Sequence, residues 1–307
     1  MTLPPPPPPE GYADRLAGEA AFWGRVARDE AATLAPDWEV LRSTPLNRLV
    51  RGRDIDALLA SVQPDMRVLE LGCGSGWLSI ALARRGARVV ALDASREALA
   101  VAERYHASVA ATLPGSLRYL LADLNRPDVD AGASDLVVAV GVLHHLLDAQ
   151  PVLNLIDRSL RPGGRLWVSD FVGHDSTAAA LAAGAVLLVL PSEMAFRQKW
   201  HGLMRFGLRA PDRVRASMEA EGLSPMEGAG RRVDWIGAIG ERFAITETNW
   251  HPAIAGYLAC QIALPPRLAA AVIRAITAVD RRLVALGAWR GSGVTLTARK
   301  REPIRSP

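Results

Sequence analysis

The chain has 307 residues, of which 50% are hydrophobic, so it can bury a sizeable core and is not a disordered protein. Its 36 basic and 32 acidic residues leave a net charge of +4, without the clustered basicity of a dedicated nucleic-acid binder, so we expect no nucleic-acid partner. The two cysteines, Cys73 and Cys260, cannot build a disulfide framework, which is typical of a reducing compartment.

The N-terminus and the longest apolar run both bear on location. Residues 1–10 hold six consecutive prolines instead of the charged start and apolar segment of a signal peptide, which predicts a disordered, proline-rich tail. The nearly apolar run at 178–191 is shorter than the ~20 residues that cross a bilayer as a helix. We therefore expect a cytoplasmic protein without a transmembrane segment.

A helical cap and an alternating core follow the tail. The pattern over 11–62 is helical and amphipathic. Over 63–171, strands at 66–71, 88–93, 117–121, 135–140 and 165–171 alternate with helices; Ser95 is a predicted N-cap, a helix has Pro151 in its first turn, and residues 161–164 form a turn. This alternation predicts an α/β fold with a doubly wound, mostly parallel, seven-stranded, Rossmann-like sheet, which binds ligands at the carboxyl ends of its strands.

The region 172–307 breaks this alternation and is predicted to form the substrate side and to complete the sheet. It begins with a helical, basic and partly apolar stretch, and it ends with strands at 243–247 and 294–299. Between these strands lies a predicted helix with one apolar stripe. The stripe consists of Leu268, Val272, Ile276, Val279, Leu283 and Leu286.

The glycine turn Gly72-Cys73-Gly74-Ser75-Gly76 follows the first strand of the core. Glycines at alternate positions allow a sharp turn and close approach of a ligand, and the next helix offers free N–H groups. The dinucleotide pattern G-x-G-x-x-G is broken, because Trp77 or Ser79 stands where its third glycine belongs. The turn therefore argues against a nicotinamide oxidoreductase.

Three acidic residues lie at the ends of successive predicted strands: Glu70, Asp93 and Asp123. Glu70 would repel a pyrophosphate and attract a cationic ligand such as a sulfonium. Asp93 is placed to bind both hydroxyls of a ribose, and Asp123 is placed to accept a hydrogen bond from an adenine amino group. Each acid alone is also explained as a solvated strand end, but three in succession indicate a binding site.

These residues resemble the successive motifs of class I S-adenosylmethionine-dependent methyltransferases. The resemblance covers about residues 60 to 171 and rests on Glu70–Gly76, Leu92-Asp93-Ala94, Ala122-Asp123-Leu124, the segments 135–138 and 141–146, and the segment 160–166. It implies S-adenosylmethionine as the cofactor. The residues that it implies at the cofactor are Glu70, Gly72, Cys73, Gly74, Gly76, Asp93, Ala94, Asp123, Leu124 and Val140.

The segment after the fourth strand lacks the Asn/Asp-Pro-Pro-Tyr motif of enzymes that methylate bases or glutamine amides. It resembles small-molecule methyltransferases that act on oxygen, carbon or nitrogen. His144 and His145 in this segment are candidate general bases. The alternative is that one histidine orients the loop while the other faces solvent. No carboxylate and histidine cluster requires a metal.

The acceptor is expected to lie against the cap and the region after residue 172. A basic stretch with interleaved aromatic residues favours an anionic acceptor, such as a phosphorylated or nucleotide-linked sugar. Its members are Arg197, Lys199, His201, Arg205, Arg209, Arg213 and Arg215, with Phe196, Trp200 and Phe206. A solvated helix face over buried aromatics explains the same residues, and the apolar run before them can line a lipophilic pocket or dock on a membrane surface.

The C-terminal third is loosely similar to bacterial methyltransferases of surface-polysaccharide and secondary metabolism. The function predicted from the sequence is therefore methyl transfer to a small-molecule acceptor, such as a sugar, a nucleotide-linked sugar or a secondary metabolite. A catalytically silent S-adenosylmethionine-binding regulatory or interaction protein is the alternative. A homodimer is an assembly that the sequence leaves open.

Overall fold

The computed structural model describes residues 10–33, 45–173, 176–192, 194–207, 224–226 and 234–301. Except for Glu10, the predicted proline-rich tail lies outside these ranges. Within them, no helix combines the length and the apolar character needed to span a membrane.

The strands of the described chain form one seven-stranded sheet in the order β3-β2-β1-β4-β5-β7-β6. The strands are β1 (Arg67–Leu71), β2 (Arg88–Asp93), β3 (Ser116–Leu121), β4 (Ser134–Val140), β5 (Leu160–Phe171), β6 (Phe243–Trp250) and β7 (Gly293–Lys300). β7 is antiparallel to both of its neighbours, while β1 to β5 pair in parallel. The predicted doubly wound, mostly parallel α/β fold is confirmed, and the strand order reverses between β1 and β4.

Helices flank this sheet. They are α1 (Tyr12–Thr33), α2 (Pro45–Ala60), α3 (Trp77–Arg84), α4 (Arg96–Val109), α5 (Ala149–Ser159), α6 (Thr177–Val189), α7 (Phe196–Gly207), α8 (Trp235–Arg242), α9 (Ala255–Gln261) and α10 (Pro266–Ala285). The Ser95 side chain caps α4, as predicted, by accepting a hydrogen bond from Ala98 N. Asp148 caps α5, which therefore begins two residues before Pro151.

Both faces of the central strands are buried. Leu69 and Leu71 of β1 pack in one core cluster with Leu153 and Ile156 of α5. Val68 packs on the other side with Leu78 of α3. Covering both faces leaves the carboxyl ends of β1, β2 and β4 as the open edge of the sheet, where a ligand can reach the backbone.

The segment 161–164, predicted as a turn, belongs to β5 instead. Ser134 pairs with Leu160 and Leu136 pairs with Arg165, so the extra residues of β5 are accommodated in an irregular register. Gly163 has a φ of 72°, which a glycine adopts without a steric penalty. The strand therefore begins earlier than its hydrophobic pattern predicted.

The helix predicted between the last two strands is confirmed as α10, but its apolar stripe is covered only in part, because Ile276 packs against a core cluster while other members lie in solvent. Leu268, Val279 and Leu286 are 51%, 57% and 81% exposed, whereas Ile273 and Asp280 are buried. Asp280 accepts hydrogen bonds from the backbone N–H groups of Ala253, Ile254 and Ala255 and from Trp289 Nε1, at 2.8 to 3.0 Å. Because these donors need the carboxylate, α10 turns the face that carries Asp280 inward.

Candidate active site

A cleft lies at the carboxyl ends of β1, β2 and β4 and runs beneath α1. It encloses about 700 Å³ of space free of protein atoms, part of it open solvent. The lining residues that the sequence predicted are Gly72, Gly74, Asp93, Ala94, Asp123, Leu124, Val140 and His145. The lining residues that it did not predict include Leu16, Glu19, Trp23, Asn125, Leu146 and Met226.

The glycine turn after β1 forms the floor of this cleft. Gly72 and Gly74 have φ values of 68° and 52°, in the left-handed region that favours glycine. A Cβ atom added at Gly72 would lie 2.5 Å from Val142 Cγ2, so the turn and the loop after β4 approach more closely than any side chain at Gly72 would allow. The cleft therefore presents backbone to a ligand at this point.

Three predicted cofactor residues lie beneath this turn rather than on the cleft wall. Glu70 is buried and accepts a hydrogen bond from the Ser79 hydroxyl. Cys73 is buried, and burial raises the pKa of its thiol well above the ordinary value, so the thiol stays protonated. Gly76 is the N-cap residue of α3 and has a φ of 82°. These residues support the turn from below.

The two strand-end aspartates reach the cleft with their carboxylates oriented by backbone donors. Asp93 accepts hydrogen bonds from Gly74 N and Ser95 N, both at 2.8 Å. Asp123 accepts a hydrogen bond from Asn125 N at 2.9 Å and another from the hydroxyl of Tyr12 on α1. Burial and the bond to Asp123 raise the pKa of Tyr12, which keeps the phenol protonated as the donor.

Helix α1 closes the cleft from above. Ser95 Oγ donates a hydrogen bond to Ala20 O at 2.7 Å, and Ser75 Oγ lies 3.1 Å from Glu30 Oε2, so the middle and the last turn of the helix are tied to the core. Leu16, Glu19 and Trp23 project into the cleft wall from this helix. The sequence predicted a helical cap here, but not which of its residues face the site.

His144 is held away from the cleft. Its Nδ1 lies 2.5 Å from Oδ1 of Asp170 at the end of β5. The other oxygen of Asp170 accepts hydrogen bonds from Val142 N and Leu143 N, at 3.1 and 2.6 Å. Asp170, which the sequence did not single out, therefore organises the loop after β4 through both backbone and imidazole.

His145 lies on the cleft wall. Its Nδ1 is 3.1 Å from Oε1 of Glu19 and 3.3 Å from Oγ of Ser224. Its ring packs edge-on against Trp23, with centroids 5.5 Å apart. Both histidines are buried, so the alternative in which one of them faces solvent is wrong. The neighbouring residues thus have different surroundings, and only His145 of the pair lines the cleft.

The basic stretch is described in part. Lys199 is buried, and its Nζ donates a hydrogen bond to Leu190 O at 2.8 Å. The ammonium group thus gives a donor to the carbonyl group of the residue that caps the C-terminus of α6. Phe196 and Trp200 are 66% and 48% exposed, which contradicts the alternative that these aromatics are buried beneath a solvated face. Arg209, Arg213 and Arg215 lie outside the described residues.

The residues of the cleft fit S-adenosylmethionine. The carboxylates of Asp93 and Asp123 match hydroxyl and amino donors, and Gly72 and Gly74 line the same cleft without side chains of their own. Buried acids near the turn suit a positively charged sulfonium. Among the residues that the structure describes, no group of three His, Cys, Asp or Glu side chains is placed to hold a metal ion.

Comparison with known proteins agrees with this fit. The model of a methyltransferase domain matches residues 69–168. The ubiquinone biosynthesis O-methyltransferase of Rhizobium rhizogenes is 31% identical over 159 residues, which cover 52% of this chain and 60% of that protein. The mitochondrial ubiquinone biosynthesis O-methyltransferase of Schizosaccharomyces pombe is 36% identical over 103 residues, 34% of this chain and 37% of that protein.

These matches span only about a third to three fifths of the length of the curated relatives. A crystal structure of geranyl diphosphate C-methyltransferase from Streptomyces coelicolor covers 95% of this chain and all of its own, with a TM-score of 0.55 and 14% identity, which supports the fold alone. The matched domain model and the strand order together identify the core of this chain as a methyltransferase domain. Residues 69–168 of this chain belong to the methyltransferase domain family, in its class I form that uses S-adenosylmethionine.

Proposed function

We propose that this chain is an enzyme that transfers the methyl group of S-adenosylmethionine to a hydroxyl oxygen of a small molecule, with His145 as the general base. One observation carries the proposal. His145 lines the same cleft as Asp93, Asp123 and the glycine turn, so a buried imidazole lies beside the proposed cofactor residues.

Each proposed cofactor residue has a distinct role. Asp93 binds the ribose hydroxyls, and Asp123 with Leu124 holds the adenine; the carboxylate of Asp123 can accept from the adenine besides the bonds from Tyr12 and Asn125. The floor at Gly72 and Gly74 holds the methionine portion. Glu70 supports this floor from below and contributes negative charge. Cys73, Gly76, Ala94 and Val140 contribute backbone and packing rather than reactive groups.

The acceptor side needs a group that removes a proton from the attacking hydroxyl. When bound, S-adenosylmethionine supplies an electrophilic methyl group on a sulfonium. His145 would accept the hydroxyl proton as the oxygen bonds to the methyl carbon, while the methyl–sulfur bond breaks and S-adenosylhomocysteine is left as the second product. Positioned proton transfer of this kind contributes about 10²- to 10⁴-fold in rate. His144 serves as a loop anchor and not as the base, because Asp170 holds its Nδ1 behind the cleft wall.

The names of the relatives support oxygen as the methylated atom, since the matched region is shared with ubiquinone biosynthesis O-methyltransferases. The acceptor class inferred from the basic stretch, a phosphorylated or nucleotide-linked sugar, and the class of secondary metabolites both carry suitable hydroxyls. We therefore propose a cytoplasmic enzyme whose acceptor is a sugar or a secondary metabolite with a free hydroxyl.

Calorimetric titration with S-adenosylmethionine and S-adenosylhomocysteine tests the cofactor first. We expect micromolar binding by the unaltered protein and a loss of about 10-fold or more in affinity for Asp93→Ala, equivalent to ~1.4 kcal/mol. Failure of both compounds to bind would refute the proposal.

Acceptors are then screened by following methylation of a catechol, a simple phenol, a hexose phosphate and a nucleotide-linked hexose. Methylation that is lost in His145→Gln while cofactor binding is kept supports the mechanism. Cofactor binding without turnover of any acceptor would favour the silent binding protein instead, and turnover that survives in His145→Gln would remove His145 as the base.

A further inference from the structure

The carboxylate of Glu19 on α1 is buried and held on both oxygens. Trp23 Nε1, one turn along the same helix, donates to Oε1 at 2.7 Å. Met226 N donates to Oε2 at 2.8 Å from a segment 207 residues away in the chain. Glu19 is only 6% exposed. Donors from two directions therefore fix this carboxylate where it meets His145.

Glu19 faces one particular nitrogen of His145. Oε1 of Glu19 lies 3.1 Å from Nδ1 of His145, a distance at which a ring N–H donates to a carboxylate. A neutral imidazole carries a single proton, so a proton held on Nδ1 leaves Nε2 with the lone pair. Nε2 is then the nitrogen that can accept a proton.

Burial alone raises the pKa of Glu19. The hydrogen bond and charge of His145, with the bonds from Met226 and Trp23, outweigh burial and lower this pKa below its usual range. The carboxylate is therefore ionised at neutral pH and can accept a hydrogen bond from Nδ1 of His145 but cannot donate one to it.

Other groups also face His145. Oγ of Ser224 lies 3.3 Å from the same Nδ1, and the ring of His144, held by Asp170, has its centroid 4.0 Å from that of His145. Ser224 can donate to Nδ1 only if the proton of His145 is on Nε2. The Ser224 hydroxyl can also accept from an Nδ1–H, so it is compatible with either tautomer. The ionised carboxylate of Glu19 can only accept, and it therefore favours the proton on Nδ1.

On the basis of the proposed function, we propose that Glu19 is a positioning residue for the methyl transfer, which holds His145 in the Nδ1–H tautomer. The proton of the acceptor hydroxyl moves to Nε2 of His145. The other proton stays on Nδ1 and is hydrogen-bonded to Glu19, whose carboxylate stabilises the imidazolium. Because Glu19 lies on α1, the base is complete only when α1 covers the cleft. The helical cap is then part of the catalytic apparatus.

A purely structural role for Glu19 makes a different prediction. If the carboxylate of Glu19 only ties α1 to Met226, the charge of Glu19 does not affect which nitrogen of His145 carries the proton. The variant Glu19→Gln keeps the shape of the side chain and one oxygen to accept bonds. Its amide can also donate to Nδ1, which would favour the Nε2–H tautomer. The charge and the shape of Glu19 are thereby separated.

The experiment is ¹⁵N nuclear magnetic resonance of the full chain labelled in histidine, with S-adenosylhomocysteine added. Spectra are recorded about two units above the ordinary histidine pKa of ~6.5, and the His145 signals are identified by their loss in His145→Gln. We expect the Nδ1–H tautomer in the unaltered protein and a shift toward Nε2–H in Glu19→Gln. Arg28→Gln, which removes the exposed ion pair of α1 with Glu97, is the matched control and should keep the original tautomer.

Kinetics on whichever hydroxyl compound of the panel is methylated provides the second readout. Glu19→Gln should lower kcat by about 10- to 100-fold with little change in KM, and it should displace the acidic limb of the pH profile. An Nε2–H tautomer in the unaltered protein, or an unchanged tautomer and kcat in Glu19→Gln, would overturn the proposal. Calorimetry separates the two proposals: absence of S-adenosylhomocysteine binding refutes the proposed function, whereas normal binding with an unchanged tautomer refutes only the role of Glu19.

Discussion

Asp170 holds His144 from the neighbouring strand, with Oδ1 of the acid 2.5 Å from Nδ1 of the imidazole. The same carboxylate accepts backbone hydrogen bonds from Val142, Leu143 and Phe171. It therefore fixes the start of the loop that carries both histidines. With His144 turned toward β5, the next residue along the chain is directed to the cleft.

Replacement of Asp170 by asparagine should destabilise the protein. An amide in this buried position presents N–H groups to backbone donors and leaves some of them without an acceptor, at a cost of about 3 kcal/mol. Urea unfolding measures the change in the free energy of unfolding. Glu103→Gln, at an exposed position on α4, is the control and should change it by less than about 0.5 kcal/mol. Equal effects of the two variants would contradict the role assigned to Asp170.

A larger loss of stability is expected for Asp280→Ala. This carboxylate is 1% exposed and accepts three backbone N–H groups at the start of α9 together with Trp289 Nε1. Its removal leaves buried donors unsatisfied, which should cost about 3 to 5 kcal/mol. Arg282→Ala, two residues along on the exposed face of α10, tests whether the helix merely tolerates alanine poorly. Thermal unfolding of both variants gives the comparison, and a small shift for Asp280→Ala would show that other acceptors replace the acid.

The buried imidazole of His251 should make the protein less stable at acidic pH. Burial, with the positive charges of Arg51 and Arg281, lowers its pKa from 6.5 to about 4, and the opposing charges of Asp54 and Asp170 do not offset this. Since the unfolded chain binds a proton more readily, stability is full above about pH 6.5 and falls as the pH drops toward 4, by up to ~3 kcal/mol.

The test compares the free energy of unfolding at several pH values between these limits in the unaltered protein and in His251→Gln. The free energy of unfolding of His251→Gln should fall less steeply as the pH drops. The control His201→Gln, at an exposed position, should show the full decrease of the unaltered protein. An identical slope in all three proteins would show that His251 does not titrate in this way.

The parts of the fold that depend on local sequence were predicted well. β1 is an apolar run followed by Gly72, and β2 is an apolar run that ends at Asp93, so both strands could be placed from the residues alone. The predicted helix cap at Ser95 acts over three residues. Because parallel strands share one open edge, the position of the cofactor cleft also followed from their order along the chain.

The parts that depend on distant contacts could not be predicted. Glu19 meets His145 and Met226 across long stretches of chain, and no pattern in α1 marks its inward face. The orientation of α10 depends on distant contacts too: part of its apolar stripe is exposed, because Asp280 is drawn inward by donors 25 to 27 residues away. Apolar periodicity counts hydrophobic side chains and does not detect a buried acid whose partners lie on another helix.

Gly76 provides a test of how tightly the glycine turn is packed. It begins α3 with a φ of 82°, and a Cβ atom there would lie 2.5 Å from Tyr119 Oη and 2.8 Å from Ala102 Cβ. Gly132 has a similar φ of 72° but nothing within 4 Å of the added atom, so Gly132→Ala incurs only the backbone strain.

We expect Gly132→Ala to cost about 1 kcal/mol and Gly76→Ala about 3 kcal/mol, because the second variant must also displace its buried neighbours. Urea unfolding of both variants isolates the steric part as the difference between them. If the two costs were equal, Tyr119 and Ala102 would yield without penalty, and the turn beneath the cleft would be looser than these distances imply. A cost at Gly76 that also weakens S-adenosylhomocysteine binding would show that packing below the turn sets the shape of the cleft above it.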